Sequence, residues 1–328
     1  MGLGYKGIVE SSIMQKGKPA SAASKMLEGF NAPFSATVVT RLEAVGVLLT
    51  GRVEASEFGV SGLFSGVNDT YSELTEAVNE VDFVLSNDYT GAISRAAAAC
   101  GLYYIHPTYG TVSRYGLIPC VTSMDQIGVL CKSPEVGFEI LKIIQGYDSK
   151  DGAMFEECAF GTMGQGNGSS VLTKGQENRP FVPLVPVMQT LCCAELGNNI
   201  SRYDGIKIGH RAVEYHGLSE LYTKSRSEAF GEDVKLAAIL GAMVLSQDNY
   251  NRYYDKAMRL RRLIKDSLNF EGYDVIEAQS AILSRLCGLP SLATPDGVYI
   301  ANVGCECDLT AVGVGQDAKI VKVEELGL

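Results

Sequence analysis

Short apolar segments that alternate with amphipathic helices constrain the fold of this chain most. Residues 34–45 carry apolar side chains at helical spacing, and Gly46 follows them. Because glycine commonly ends helices, this pattern predicts a helix over residues 34–45. The next residues, 47–50, are apolar and are followed by Gly51, which predicts a short buried strand.

Further strands and a capped helix follow in the same order. Residues 81–85 and 102–105 are short apolar runs that predict two strands, with the Ala-rich run 96–99 between them. Ser133 followed by Pro134 predicts the start of a helix, because serine caps helix N-termini and proline suits the first helical position. Strands interleaved with helices indicate the α/β fold class.

The second half of the chain is predominantly helical in pattern. Residues 218–268 predict helices, and one face of the last helix is expected to carry Tyr250, Tyr253, Tyr254, Ala257, Leu260, Ile264 and Leu268. The Gly-rich run 161–168 lacks the Lys-Ser/Thr pair of a phosphate-binding loop, so we interpret it as a connector.

Composition excludes several classes of partner. The chain has 28 Lys and Arg against 38 Asp and Glu, a formal net charge of -10, which argues against direct nucleic-acid binding. Nine cysteines, an odd number, without an N-terminal signal pattern predict reduced thiols in a cytoplasmic protein. Apolar runs are too short to span a bilayer, so no membrane contact is expected.

Three separated blocks carry a family resemblance. Residues 105–118 and 122–128 form the longest block. A block at residues 16–19 and 23–27 precedes it, and a block at residues 201–205, 220–222 and 226–231 follows it in the expected order. These segments resemble the amidase signature family, in the form found in the A subunits of tRNA-dependent amidotransferases. The resemblance implies a mixed β-sheet flanked by helices on both faces, in a single domain over residues 1–328. It also implies that the family's N-terminal helices and parts of its C-terminal region are missing.

The resemblance also implies a catalytic set, which this sequence lacks. The family uses a nucleophilic serine, a second serine in a cis peptide and a lysine that shuttles protons, since a hydroxyl needs a base to become nucleophilic. The nucleophile lies in an Asp-Thr-Gly-Gly-Ser-Ile-Arg motif, which corresponds here to residues 88–94. Ala92 therefore occupies the nucleophile position. Ser94, two places further on, is a weak substitute that we interpret as a solvated or capping hydroxyl.

The other two catalytic parts are replaced as well. Residues 67–90 contain no glycine, so the Gly-rich loop that carries the cis-serine is expected to be absent. Glu10 occupies the lysine position when the segments are aligned without gaps. Lys6 would fit only with a local deletion, and we interpret it as a surface residue.

Positions that would bind glutamine have also changed. Ala237 stands where the family has an arginine that holds the substrate carboxylate, and a bidentate contact of that kind is strong. Met188 aligns with a tyrosine that the family uses for substrate. The acidic contact expected after Asp274 is missing. We therefore predict that no catalytic or substrate-binding residue is intact.

Replacement chemistry has little support in the sequence. His106, His210 and His216 are the only histidines, and a metal site needs three or four converging ligands. We interpret His106 as a surface or second-layer residue. Cys305 and Cys307 form a lone C-x-C pair that is weak evidence for a soft metal. No cofactor or metal is expected.

Two functional hypotheses follow. The first is a catalytically silent homologue of amidotransferase A subunits that serves as a binding or scaffold subunit. Its partners would be amidotransferase-like subunits or an active relative, in glutaminyl-tRNA biosynthesis and translation. The alternative is a divergent amidase or glutaminase with a relocated nucleophile at Ser94. A gene product without a folded role is a third hypothesis.

Overall fold

The computed structural model describes residues 3–64, 71–156, 183–315 and 318–322. The run 161–168 and part of the glycine-free segment 67–90 lie outside the described residues. The described strands are β1 Lys6–Glu10, β2 Leu48–Val53, β3 Phe83–Asn87, β4 Tyr103–His106, β5 Ile127–Cys131, β6 Val275–Ala278, β7 Ser291–Thr294, β8 Gly297–Ala301 and β9 Ile320–Lys322.

The helices of the described ranges fall between and after these strands. They are α1 Thr37–Ala44, α2 Ser72–Ala77, α3 Ala92–Ala99, α4 Pro134–Ile144, α5 Leu184–Asn199, α6 Leu218–Ala229, α7 Glu232–Leu245, α8 Lys256–Ser267, α9 Ile282–Cys287 and α10 Glu306–Gly313. Short 3-10 segments lie at Lys25–Leu27, Glu57–Leu63 and Ile200–Arg202, and a π-helical turn, Asn251–Asp255, leads into α8. None of the helices in the described ranges is long and apolar enough to cross a membrane.

The strands form one mixed sheet in the order β2-β1-β3-β5-β4-β7-β8-β6-β9. Strand β1 pairs in parallel with β2 and with β3, whereas β5 runs antiparallel to both β3 and β4. Because side chains alternate along a strand, Phe83 and Leu85 point to one face of the sheet and Val84 to the other. The predicted α/β fold class is thereby confirmed.

Each face of the sheet has its own apolar core and its own helices. One core includes side chains from α1, α4 and α10, such as Leu42, Ile140 and Leu309. The larger core lies on the other face and takes side chains from α3, α5, α7, α8 and α9. The sheet is therefore flanked by helices on both faces, as predicted.

Some local predictions need correction. The predicted helix 34–45 and the Ser133-capped helix are confirmed as α1 and α4, and Ser133 Oγ accepts from the amide of Val136. The predicted buried strand 47–50 is wrong in extent and burial, since β2 continues through Gly51 to Val53 at the edge of the sheet. An edge strand has one unpaired side, which leaves Leu48 57% exposed.

The last helical region also differs in detail. Breaks at residues 230–231 and 246–250 divide it into α6, α7 and the π turn that runs into α8. The expected apolar face is interrupted, because Tyr250 and Tyr253 are exposed while Ala257 and Ile264 are buried. A π turn is wider than an α turn, so it shifts the angular position of the residues before it.

Candidate functional site

The turn from β3 into α3 contains Ala92, where the family resemblance places the nucleophile. Asp88 follows β3, Gly91 takes a left-handed conformation with φ 77°, and Ala92 is the first residue of α3. A Cβ at Gly91 would lie 3.0 Å from the Cβ of Ala281, so glycine suits both the backbone angle and the close contact. The strand-turn-helix geometry is present, while the side chain at position 92 is a methyl group.

Ala92 is closed off from solvent. Its exposed fraction is 0%, and the 3-10 segment Glu57–Leu63 passes directly over it. A Cβ built on Gly62 would lie 2.5 Å from the Cβ of Ala92 and 2.5 Å from Oγ1 of Thr90. Thr90 Oγ1 itself accepts a hydrogen bond from the amide of Ala92 at 3.3 Å. Ala92 is thus packed as part of the core.

Ser94 is a hydroxyl near this position that contacts a carboxylate. Its Oγ donates to Oδ2 of Asp88 at 2.7 Å and accepts from Nη2 of Arg285 at 2.7 Å. Asp88 also accepts from the amides of Ile93 and Ser94 at the start of α3. Ser94 is 1% exposed, so the interpretation of a solvated hydroxyl is wrong. The hydroxyl is instead fixed inside a buried polar network.

Arg285 is the centre of that network. All five of its N–H groups have acceptors, since Nε donates to the Asp88 carbonyl, Nη2 to Asp88 Oδ2 and Ser94, and Nη1 to Ser284 and Ser291. The guanidinium and the Asp88 carboxylate form an ion pair at 3.0 Å, with side chains 0% and 1% exposed. A buried charge pair of this kind is retained only when its remaining donors and acceptors are satisfied.

Sequence reasoning missed Arg285. Its signal was a single cation inside the apolar segment 281–289, where an unpaired charge would be costly. The family motif ends in arginine at the position of Ser94. Here Arg285, on α9, brings a guanidinium to the Ser94 hydroxyl from another part of the chain.

Glu10, which the family resemblance aligns with the catalytic lysine, is also buried. It ends β1, next to β3, and its carboxylate accepts from the amide of Asn87 at 2.7 Å and from Oγ of Ser12 at 2.9 Å. The pKa of Glu10 is raised to about 7, mainly by burial and in part by the Asp88 and Glu54 carboxylates, against the lowering effect of the two donors. A carboxyl group cannot supply the positive charge of a lysine, and the partners of Glu10 are the Ser12 hydroxyl and the Asn87 amide.

Lys6 does not replace the missing cation. It lies on the exposed start of β1, and its amide donates to Asp82. The prediction of a surface lysine is confirmed. The cation that contacts the Glu10 backbone is Arg52, whose Nη2 donates to the carbonyl oxygens of Glu10 and Ile13.

The two predicted substrate positions lie in the helical core. Met188 on α5 is 3% exposed, and Ala237 on α7 is fully buried. Helices α5 and α7 pack so closely that a Cβ at Gly241 would overlap the Cys193 carbonyl oxygen. Both side chains therefore fill space between helices, and neither presents a polar group.

The segment with the longest family resemblance forms a second buried network beside β3. The Asp125 carboxylate accepts from Nδ2 of Asn87 and from the amides of Cys120 and Val121. The amide of Gln126 in turn donates to Oδ1 of Asn87. These contacts fix the end of β3, so this block holds the following turn in place.

The histidines and the C-x-C pair do not converge. His106 is 1% exposed at the end of β4, so its placement at the surface is wrong; burial and the charge of Arg285 hold its pKa well below the usual range. His210 pairs with Glu228 at 3.0 Å on the surface. Across the described ranges, no group of three His, Cys, Asp or Glu side chains, Cys305 and Cys307 included, is placed to hold a metal ion.

Comparisons with known proteins identify the family. The model of the family described as Amidase matches residues 77–162 and 179–282. The A subunit of glutamyl-tRNA(Gln) amidotransferase from Lachnoclostridium phytofermentans is 32% identical over 322 residues, covering 82% of this chain and 65% of that protein. The corresponding protein of Neisseria meningitidis is 32% identical over 370 residues, covering 89% of this chain and 76% of that protein. The chain belongs to the amidase family.

Solved structures support the same fold. An amidase family protein from Bacillus anthracis superposes with a TM-score of 0.68 at 19% identity, covering 94% of this chain and 76% of that chain. The A subunit of the Thermotoga maritima glutamyl-tRNA(Gln) amidotransferase gives a TM-score of 0.59 at 21% identity, covering 92% of this chain and 80% of that chain. At these identities the likeness concerns the fold alone.

Proposed function

We propose that this chain is a catalytically silent homologue of the glutamine-hydrolysing A subunits of amidotransferases. In this proposal it acts as a binding or scaffold subunit of an amidotransferase-like assembly in the cytoplasm, with amidotransferase-like subunits or an active relative as partners. The observation that carries the proposal is the buried methyl group of Ala92 at the nucleophile position, covered by Gly62.

Further observations support catalytic silence. The buried Glu10 stands where the family's lysine would take the nucleophile's proton. Its carboxylate accepts hydrogen bonds from the Ser12 hydroxyl and the Asn87 amide. The substrate positions are the apolar, buried Met188 and Ala237. Amide hydrolysis needs the nucleophile, its base and the substrate contacts together. The changes at Ala92, Glu10, Met188 and Ala237 therefore all argue against the same reaction.

One observation favours the alternative of a relocated nucleophile. Ser94 Oγ lies 2.7 Å from a carboxylate, which is the distance expected between a nucleophile and its base. The same hydroxyl receives a hydrogen bond from Arg285, the carboxylate already accepts two amides, and the pair is buried. We therefore assign this contact to stability of the turn.

A covalent probe tests the proposal without knowledge of the substrate. The full-length protein is incubated with a fluorophosphonate that modifies activated serines, beside an active amidase as the positive control, and adducts are mapped by mass spectrometry. The proposal predicts no stoichiometric adduct in the folded protein. An adduct on Ser94, absent after heat denaturation, would establish the alternative.

The scaffold role needs its own test. The chain is co-expressed with the other amidotransferase subunits encoded in its source genome, and complexes are isolated through a tag on this chain. A stable complex in stoichiometric ratio is expected. Failure to assemble with any of these subunits or with an active relative would refute the scaffold role and leave catalytic silence standing.

A further inference from the structure

Helix α7 is apolar on two opposite faces. One face carries Val234, Ala237, Gly241 and Val244, all buried. This face packs against α5, where Gly241 lies against the Cys193 backbone. The core of the chain therefore accounts for one side of α7 only.

The opposite face forms a stripe that the described part of this chain leaves largely exposed. It consists of Leu236, Ile239, Leu240 and Met243, at the i, i+3, i+4, i+7 spacing of a helix-packing surface. Ile239 is 67% exposed, and Leu236 and Met243 are each 42% exposed, whereas Leu240 packs partly against the core. A helix that is apolar all round is normally buried all round, so this stripe is expected to have a partner.

The start of α7 forms an acidic end of the stripe. The carboxylates of Glu232, Asp233 and Glu57 lie there, the last accepting from the amide of Gly231 at 2.8 Å. Lys235 is a positively charged residue at the same end, where the three carboxylates outnumber it.

The other end of the stripe is basic. The π turn Asn251–Asp255 packs against α7 and carries the exposed Arg252, with exposed Lys256 directly after it. Asp248 is a negatively charged residue at the same end. Asp255 forms an ion pair with Arg259 at 2.9 Å, so its charge is balanced. The stripe is therefore acidic at one end and basic at the other.

We propose that the α7 stripe is the interface for a second copy of this chain. In a two-fold symmetric contact the same patch meets itself, so antiparallel pairing of two α7 helices covers Ile239 with the partner stripe. The same pairing sets the acidic end of each copy beside the basic end of the other. This self-complementary charge favours a second copy over an anionic membrane, which would repel Glu232 and Asp233. The proposal stands independently of catalytic silence.

Sedimentation velocity on the full chain, from about 1 to 100 µM, tests the proposal. We expect reversible dimers, and Ile239→Glu is expected to weaken dimerisation by roughly thirtyfold or more, since a charge would be buried at the centre of the interface. Val213→Glu is the matched control, because Val213 is 92% exposed and lies outside the stripe, and it should leave the dimer unchanged.

Charge reversal provides a second, independent variant set. Glu232→Lys and Arg252→Glu are each expected to weaken the dimer by about three- to tenfold, and the double variant should restore it. Monomers at all concentrations, or a dimer that Ile239→Glu leaves intact, would overturn the proposal. A monomer that instead sediments with anionic vesicles, or binds only a different subunit through the stripe, would overturn it as well.

Discussion

Asp88 and Glu10 are two buried carboxylates at the ends of neighbouring parallel strands, and their surroundings differ. Asp88 accepts two amides and a hydroxyl and forms an ion pair with Arg285. Glu10 accepts one amide and one hydroxyl, and burial raises its pKa to about 7. The first carboxylate is buried with a cation and the second with neutral donors.

This difference separates the two places where the family resemblance predicts catalytic residues. At the turn after β3, a guanidinium from α9 supports the carboxylate, and the strand-turn-helix geometry persists around Ala92. At the end of β1, a carboxylate is buried without a paired cation, and burial raises its pKa. The first region is therefore expected to depend on its buried charge pair, and the second to change in stability with pH.

The largest expected effect is that of Arg285→Met. Removing the cation leaves Asp88 buried without an opposite charge, so the free energy of unfolding should fall by about 3–5 kcal/mol. Urea unfolding followed by circular dichroism measures this. Arg259→Met is the control, because Arg259 pairs with Asp255 on the surface at 77% exposure and should cost about 0–0.5 kcal/mol. Equal losses in the two variants would contradict the role given to Arg285.

Glu10→Gln should stabilise the protein at alkaline pH. The folded pKa of about 7 exceeds the ordinary value of 4.5, so the stabilising contribution of the protonated carboxyl is complete below about pH 4.5 and is lost as pH rises through 7. At pH 8 the variant should be more stable than the wild type by about 1–3 kcal/mol, and at about pH 4.5 the two should converge.

Unfolding curves between about pH 4.5 and pH 8 check this prediction, with Glu28→Gln as the exposed control. A difference between Glu10→Gln and the wild type that stays constant over this range would show that Glu10 titrates normally in the folded state.

Ser94→Ala should have a smaller effect. The variant loses the hydroxyl that links Asp88 to Arg285, but the ion pair remains, so we expect a loss of about 1–2 kcal/mol that does not vary between about pH 6 and pH 8. Denaturant midpoints at the two pH values measure it. A loss that changes between the two pH values would show that the hydroxyl is coupled to the ionisation of another group, which would contradict a purely structural role for Ser94.

Ser12→Ala is the corresponding change at the other carboxylate and should have the smallest effect, about 0.5–1.5 kcal/mol. Because the Ser12 hydroxyl lowers the pKa of Glu10, its removal should raise that pKa further. The midpoint of the pH-dependent stability should therefore move upward. An unchanged midpoint would show that Ser12 does not influence Glu10.

The sequence predicted the fold around this site better than the side-chain contacts within it. The alternating pattern and the family resemblance predicted the mixed sheet and its flanking helices. The lone cation in the apolar segment 281–289 marked Arg285 as unusual, but its pairing with Asp88 could not be predicted, because the two residues are far apart in the chain. The burial of Ser94 and His106 was missed for the same reason, since exposure depends on which elements pack over a residue.

Ammonia release from glutamine, asparagine and simple amides tests the central claim most directly. The wild type, Ala92→Ser and Ser94→Ala are compared with a heat-denatured sample at equal concentration. With Ala92 at the nucleophile position and Glu10 in place of the lysine, we predict no release above the denatured control in any of the three, Ala92→Ser included. Release by the wild type that disappears in Ser94→Ala would contradict catalytic silence and assign the chemistry to Ser94.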